Sequence, residues 1–145
     1  MIGLLQRVES ANVVVEGEMI AAIGRGLLVF VGVQSADTES NAHALLAKLL
    51  KYRIFEDDSG RMNVSLQQIH GELLVVPQFT LAADTRHGLR PGFSTAASPE
   101  FGKRLFDAFL SAARQLHTPV ESGRFGATMK VSLVNDGPAT FWLET

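Results

Sequence analysis

The run Leu27 to Val33, Leu-Leu-Val-Phe-Val-Gly-Val, carries no polar side chain. Side chains alternate between the two faces of a strand, so a run that is apolar at every position reads as a strand buried on both faces. A chain holding such a strand must cover it from two sides. The remaining elements have to supply that cover, and their pattern indicates which ones do.

Two further apolar or β-branched runs, Gly3 to Val8 and Asn12 to Val15, precede it, and Glu16-Gly17-Glu18 reads as a turn into another strand, Met19 to Ile23. After it, Ala42, Leu45, Leu46, Leu49 and Leu50 recur at helical spacing with Lys48 and Lys51 off the stripe, and Asp37 or Thr38 can cap the helix. Tyr52 to Phe55, a polar turn at Asp57-Asp58-Ser59-Gly60, a weak segment around Val64 and a strong strand from Glu72 to Phe79 follow. Ala82 to Ala97 has no periodicity and is expected to be a long irregular loop, a kind commonly tied to function. Ser98 caps a second helix with Pro99 at its first position and Phe101, Leu105, Phe109, Ala112 and Leu116 along one face. Strands around Val120 to Phe125, Ala127 to Val134 and Thr140 to Glu144 complete the chain, with Met129, Val131 and Leu133 alternating against Lys130 and Ser132. No repeat, linker or low-complexity segment interrupts this order. The fold class predicted is mixed α/β, one domain over residues 1–145 with two helices on extensive sheet.

Composition excludes several classes. With 145 residues, 46% of them hydrophobic and 19% charged, the chain is large enough for a single core and is not of a disordered type. The absence of cysteine excludes disulfides, thiolate catalysis and Cys-ligated metal, and fits a reducing cytoplasm. The start, Met1 to Val8, has no basic segment followed by a long apolar one, and no run approaches the roughly 18 apolar residues of a membrane span. A cytoplasmic location, with no membrane, is therefore the expectation. Asn63-Val64-Ser65 matches a glycosylation sequon that such a location leaves idle. A formal charge of −2 does not suit a protein that wraps a long nucleic acid. A grip on RNA would have to be local, served by a few basic residues such as Arg86, Arg90, Lys103, Arg104 and Arg124, each of which is otherwise an ordinary solvated charge.

The usual catalytic signatures are missing. His43, His70, His87 and His117 are scattered without ligand spacing, so no metal is expected. Gly24-Arg25-Gly26 lacks the third glycine of a dinucleotide fingerprint and leads into a strand, so it reads as a turn. No nucleophile elbow, Walker loop or helical His-Glu-x-x-His is present. What remains is backbone, amide and hydroxyl chemistry at the ends of two strands. At Gln78-Phe79-Thr80 a strand leaves its sheet, and N–H groups without ladder partners can receive an oxyanion, with the Thr80 hydroxyl beside them. An ordinary strand end is the alternative. At Gly137-Pro138 glycine permits close approach and proline removes a donor, which equally describes a common turn.

Pro77-Gln78-Phe79-Thr80-Leu81 and Asn135-Asp136-Gly137-Pro138-Ala139-Thr140 resemble the two signature motifs of the D-aminoacyl-tRNA deacylase family, in its bacterial D-tyrosyl-tRNA deacylase form. Gln6-Arg7-Val8, Tyr52-Arg53-Ile54-Phe55, Gly123-Arg124-Phe125 and Phe141-Trp142-Leu143 resemble the same family in the same order, so the likeness runs end to end. It implies a three-layer β/β/α fold with two sheets and two main helices. It implies a carboxylic ester hydrolase that releases D-amino acids, and glycine mischarged on alanine tRNA, from the terminal adenosine of aminoacyl-tRNA, sparing L-aminoacyl esters. The partner implied is thus the acceptor end of tRNA, with no DNA and no cofactor.

By the same resemblance Gln78, Phe79 and Thr80 are the catalytic residues, acting chiefly through main-chain N–H groups on the ester carbonyl. The ribose 2′-hydroxyl of the substrate helps activate the attacking water. Gly137 and Pro138, joined by a cis peptide in the family, would exclude L side chains from the pocket of a partner subunit, with Arg7 bracing their loop. Phe125 and Met129 would lie at the adenosine pocket. Action across an interface implies an obligate homodimer, with Phe141 and Trp142 helping to bury it. The resemblance has one departure: Pro77 stands where the family usually has serine, removing a hydroxyl and a backbone donor and calling for a sheet edge or strand break there. Ala139, where valine is frequent, is milder. Two alternatives follow, a non-catalytic homodimer that binds tRNA ends or nucleotides on the same fold, and an enzyme whose main task is glycyl-tRNA.

Overall fold

The computed structural model describes all residues, 1–145. Its frame is a six-stranded sheet built on the doubly buried run, now β3 (Gly26–Gly32). β3 pairs antiparallel with the first half of β1 (Ile2–Val15), from Ile2 opposite Gly32 to Val8 opposite Gly26. On its other side it pairs parallel with β6 (Glu72–Pro77), which pairs parallel with β7 (Val120–Ser122). β2 (Glu18–Ile23) joins the second half of β1, and β8 (Lys130–Glu144) runs antiparallel along nearly all of β1. A separate two-stranded sheet holds β4 (Arg53–Glu56) and β5 (Met62–Ser65). The architecture is the mixed α/β fold with two helices and two sheets anticipated from the sequence.

Both faces of β3 are covered, by different means. Leu27, Val29 and Val31 pack with Leu73, Val75 and the helices α1 (Glu39–Lys51) and α2 (Pro99–Leu116) in one apolar cluster. Leu28 joins Leu74 and Val76 in a second cluster with Val8, Ala11, Val13, Val15, Ala21 and Ile23. The second half of β1, with β2, therefore folds back over the sheet and forms a layer of its own. The bend falls where the β1–β8 register shifts, between Gln6 and Ser10. Consequently β1 is one continuous strand where the sequence suggests two runs, and β8 unites the two expected closing strands but starts at Lys130, three residues after the expected Ala127.

The helices follow local signals. Thr38 is the N-cap of α1, its N–H donating to Asn41 Oδ1 at 2.9 Å, and all five stripe residues from Ala42 to Leu50 are buried. Asp37 is instead buried, accepting from the Gln34 N–H at 2.7 Å. Ser98 caps α2 with Pro99 in its first turn, and the end is followed by Pro119, joined to Thr118 by a cis peptide. The buried face of α2 is rotated from the expected one: Gly102, Leu105, Phe106, Phe109 and Ala113 are buried, Phe101 and Ala112 lie at the margin, and Leu116 is exposed. The contact with α1 and the sheet sets that rotation, and phenylalanines on adjacent faces leave the periodicity ambiguous.

Gly26 shows how tightly β3 and β6 are joined. A Cβ added there would lie 1.8 Å from the Glu72 carbonyl oxygen. Only glycine permits this approach.

Candidate functional site

β6 ends at Pro77, and the chain turns immediately into a 3-10 turn over Phe79–Ala82, so the expected strand to Phe79 stops two residues early. Gln78 still donates its N–H to Val31 at 2.8 Å. Side directions alternate along a strand, and the Leu73 N–H and the Val75 carbonyl face the β7 side, so the nitrogen of Pro77 faces that side too. β7 has already ended at Ser122. Only the Gly123 N–H continues the pairing, to the Val75 carbonyl at 2.9 Å, so the missing donor of Pro77 falls at the last rung of the ladder, at the strand break that proline requires.

The N–H groups of Phe79 and Thr80 open the 3-10 turn and have no acceptor within it. The Gln78 side-chain amide donates to the Thr80 hydroxyl. Phe79 is 61% exposed and leans on Phe93, ring centroids 5.2 Å apart, at the foot of the long loop. That loop is tied down by Thr95 Oγ1 donating to the Ala82 carbonyl at 2.6 Å and by Asp84 and Gly92 exchanging backbone bonds. Asp84 is held down to about 2, chiefly by the side-chain hydrogen bond from Arg86. In the β4–β5 turn, Asp57 lies well below the usual carboxylate range because the Ser59 hydroxyl, the Asn63 amide and backbone N–H groups all donate to it.

Beside the turn lies a cleft of about 570 Å³. Its walls are the ends of β3 and β6, the start of α2 at Ser98 and Gly102, and the segment Phe125 to Met129. Gln78, Phe79, Phe125 and Met129, expected on sequence grounds to act together, all line it, as does Pro77. Phe125 is propped by Phe106 of α2, centroids 6.0 Å apart, and a Cβ on Gly102 would touch the Phe125 ring at 3.5 Å. Thr80 is exposed and does not line the cleft. None of the 17 lining residues is ionisable; the polar groups there are backbone, the Gln78 amide and the hydroxyls of Ser98 and Thr128. From the sequence Ser98 is only a helix cap, and Gly102 and Phe106 lie off the expected stripe, because helical periodicity gives no hint which positions face a cavity. No group of three or more His, Asp or Glu side chains could hold a metal ion.

Gly137, Pro138 and Arg7 are gathered elsewhere. Within β8 the residues from Asp136 to Ala139 leave the ladder opposite Arg7, since Asn135 pairs with Val8 and Thr140 with Gln6. The Gly137–Pro138 peptide is cis, and both residues are exposed. Gly137 has φ +136°, and a Cβ there would lie 2.9 Å from the Ala139 backbone nitrogen and 3.0 Å from Arg7 Nη2, so any side chain at this position would be strained. Arg7 is nearly buried: Nη1 donates to the Ile54 carbonyl at 2.6 Å, and Nε donates to the Asp136 carbonyl at 3.0 Å and lies 3.2 Å from its carboxylate. None of the three residues lines the cleft of its own chain. Among the basic candidates, Arg86 is paired with Asp84, Lys103 with Asp107, and Arg104 lies over the Phe101 ring, whereas Arg90 and Arg124 are exposed without an ion pair.

An apolar cleft with a few convergent polar groups is the usual form of a small-ligand site. Fold and cleft thus define a mixed α/β protein with an apolar cleft, bordered by main-chain donors and lined by no titratable side chain. The family model for D-Tyr-tRNA(Tyr) deacylase matches residues 4–144. A D-aminoacyl-tRNA deacylase of Pseudomonas fluorescens (strain SBW25) is 61% identical, covering 100% of both chains. One of Thioalkalivibrio sulfidiphilus (strain HL-EbGR7) is 60% identical over 99% of this chain and 97% of its own. The solved structure of c-Myc DNA Unwinding Element Binding Protein, 38% identical, matches with a TM-score of 0.96 over 100% of this chain and 99% of that one. A probable eukaryotic D-amino acid tRNA deacylase, at 19% identity and TM-score 0.86 over 99% and 98%, shares the fold. The chain belongs to the D-Tyr-tRNA(Tyr) deacylase family and is a hydrolase.

Proposed function

We propose that this protein hydrolyses the ester joining a D-amino acid to the terminal adenosine of tRNA, as a proofreading enzyme of translation that spares L-aminoacyl esters. The observation that carries this reading is a cleft without a single ionisable side chain, next to two main-chain donors that open a turn. Such a site cannot run general acid-base chemistry through its own side chains. It can hold an ester carbonyl by the N–H groups of Phe79 and Thr80 and stabilise the oxyanion as water attacks. The base then has to come from the substrate, and the ribose 2′-hydroxyl adjacent to the ester is positioned by its own covalent frame to assist. Phe125 and Met129 offer the apolar walls that an adenine ring needs.

Chiral selection is assigned to Gly137 and Pro138, braced by Arg7. Their loop is exposed and outside its own cleft, which favours a homodimer in which each loop enters the cleft of the partner and excludes an L side chain. Exposed Val134 and Trp142 on β8, with Phe141 beside them, supply apolar surface for that contact. Exclusion by bulk cannot reject glycine, so glycyl-tRNA mischarged on alanine tRNA is a second substrate. The whole chain, 1–145, acts as one domain. With a charge of −2 and only Arg90, Arg104 and Arg124 exposed without an ion pair among the basic candidates, the grip is on the RNA acceptor end and not on DNA. No helix is long and apolar enough to cross a membrane, and a cytoplasmic setting fits the substrate.

Hydrolysis of matched D-tyrosyl-, L-tyrosyl- and glycyl-tRNA by the purified, metal-free protein tests the proposal. Release of the D and glycyl esters with the L ester intact is expected. Tight binding of tRNA ends without release of any ester would refute it in favour of a non-catalytic binder.

A further inference from the structure

The geometry points to Asn135 as the positioning residue of the Gly137–Pro138 loop, an inference that rests on the deacylase reading above. Where β8 leaves β1, four residues, Asp136 to Ala139, stand opposite Arg7 alone. Such an excursion strips backbone groups of their ladder partners, and buried backbone groups left unpaired are costly. The side chain of Asn135 meets three of them. Its Nδ2 donates to the Arg7 carbonyl at 2.9 Å and to the Ala139 carbonyl at 3.1 Å, and its Oδ1 accepts from the Ala139 N–H at 3.2 Å. Both amide donors are thus engaged, and the carbonyls they meet fix which way the amide faces. The side chain does for the bulge what a facing strand would have done.

Asn135 and Arg7 hold the loop from two sides. Asn135 closes its base, tying Ala139, which is 4% exposed, back to the Arg7 backbone. The Arg7 guanidinium lies beneath Gly137 and holds the Asp136 carbonyl. Between these anchors only Gly137 and Pro138 project freely. A loop that selects by steric exclusion must resist displacement, because an L substrate would otherwise push it aside. Asn135 does not line the cleft and is no catalytic residue; it acts through the two residues it holds.

Asn135→Asp keeps size and removes both donors, setting carboxylate oxygens against two carbonyls. The expected result is a fall of roughly tenfold or more in the ratio of D- to L-tyrosyl-tRNA kcat/KM, because small misplacements at a reacting centre have effects of this order. A merely structural loss would lower both esters together and leave the ratio unchanged. A folded Asn135→Asp variant, judged by its thermal transition, that keeps the parental ratio overturns the inference. Should the variant not fold, the unaltered protein decides: both Asn135 side-chain amide protons are expected to exchange with solvent far more slowly than those of an exposed asparagine, and exchange at the free rate overturns the clamp. If the unaltered protein itself shows no D preference, the deacylase reading has failed, and the amide exchange alone judges whether Asn135 holds the loop.

Discussion

Replacing Arg7 by alanine separates a braced loop from a surface charge. The arginine side chain is 5% exposed, and its removal leaves the Ile54 carbonyl buried without its donor, at a cost of about 1–3 kcal/mol. Asp136, 36% exposed on its side chain, loses an ion pair of at most ~1 kcal/mol after solvent screening. The packed aliphatic stem contributes about another 1 kcal/mol. A total near 3 kcal/mol corresponds to a fall in Tm of roughly 10 °C for a chain of this size. Differential scanning calorimetry at one fixed protomer concentration measures it, since self-association would make Tm concentration-dependent. Discrimination between D- and L-tyrosyl-tRNA should fall in the same variant, because the Asp136 carbonyl is no longer held. Arg7→Lys keeps the charge but cannot span Ile54 and Asp136 with one ammonium, and should fall between parent and alanine variant. An Arg7→Ala protein melting within about 2 °C of the parent, with discrimination intact, would refute the reasoning.

Gly26→Ala sets a methyl group into the Glu72 backbone and should lower Tm by more than about 10 °C or prevent folding, since no rotamer relieves a clash with backbone; a melt within about 3 °C of the parent refutes the register argument. Thr80→Ala should cost less than about tenfold in kcat, because the hydroxyl stands outside the cleft while the N–H remains, and an inactive but folded variant would show that the Thr80 hydroxyl takes part in the chemistry. Pro77→Ser should leave deacylation within about tenfold, as at most one bond at the end of the ladder is restored while the N–H groups of Phe79 and Thr80 are unchanged; a hundredfold gain would mark the native pocket as impaired. The Asp84 carboxyl should titrate at about 2 by carbon NMR. A depressed folded pKa means that its contribution to holding the loop is present above the ordinary value near 3.9 and is lost as pH falls through about 2, whereas Arg86→Ala should move the midpoint up and a parental midpoint near ~4 would contradict the pairing.

Features encoded in consecutive residues were legible. The apolar run of β3, the stripe of α1 and the Ser98-Pro99 start of α2 each state their environment within one element, because periodicity and capping are local. The continuity of β1 and β8 was not, since their unity lies in hydrogen bonds to each other across more than a hundred residues. The buried face of α2 was misjudged at Leu116 for a similar reason: phenylalanines on adjacent faces let the helix turn either way, and only the packed neighbours choose. Asn135 was read as part of a motif without a task, because its partners Arg7 and Ala139 become apparent only once the ladder breaks.

By itself the sequence determined most of the elements, the mixed α/β class, the family likeness and the absence of the usual catalytic motifs. Tertiary structure alone decided that Gln78 and Phe79 share a cleft with Phe125 and Met129, and that Arg7, Gly137 and Pro138 lie apart from it. The physical reason is that strand register and layer order are set by which apolar faces are buried together. That choice is made between segments far apart in the chain, where no local pattern can record it.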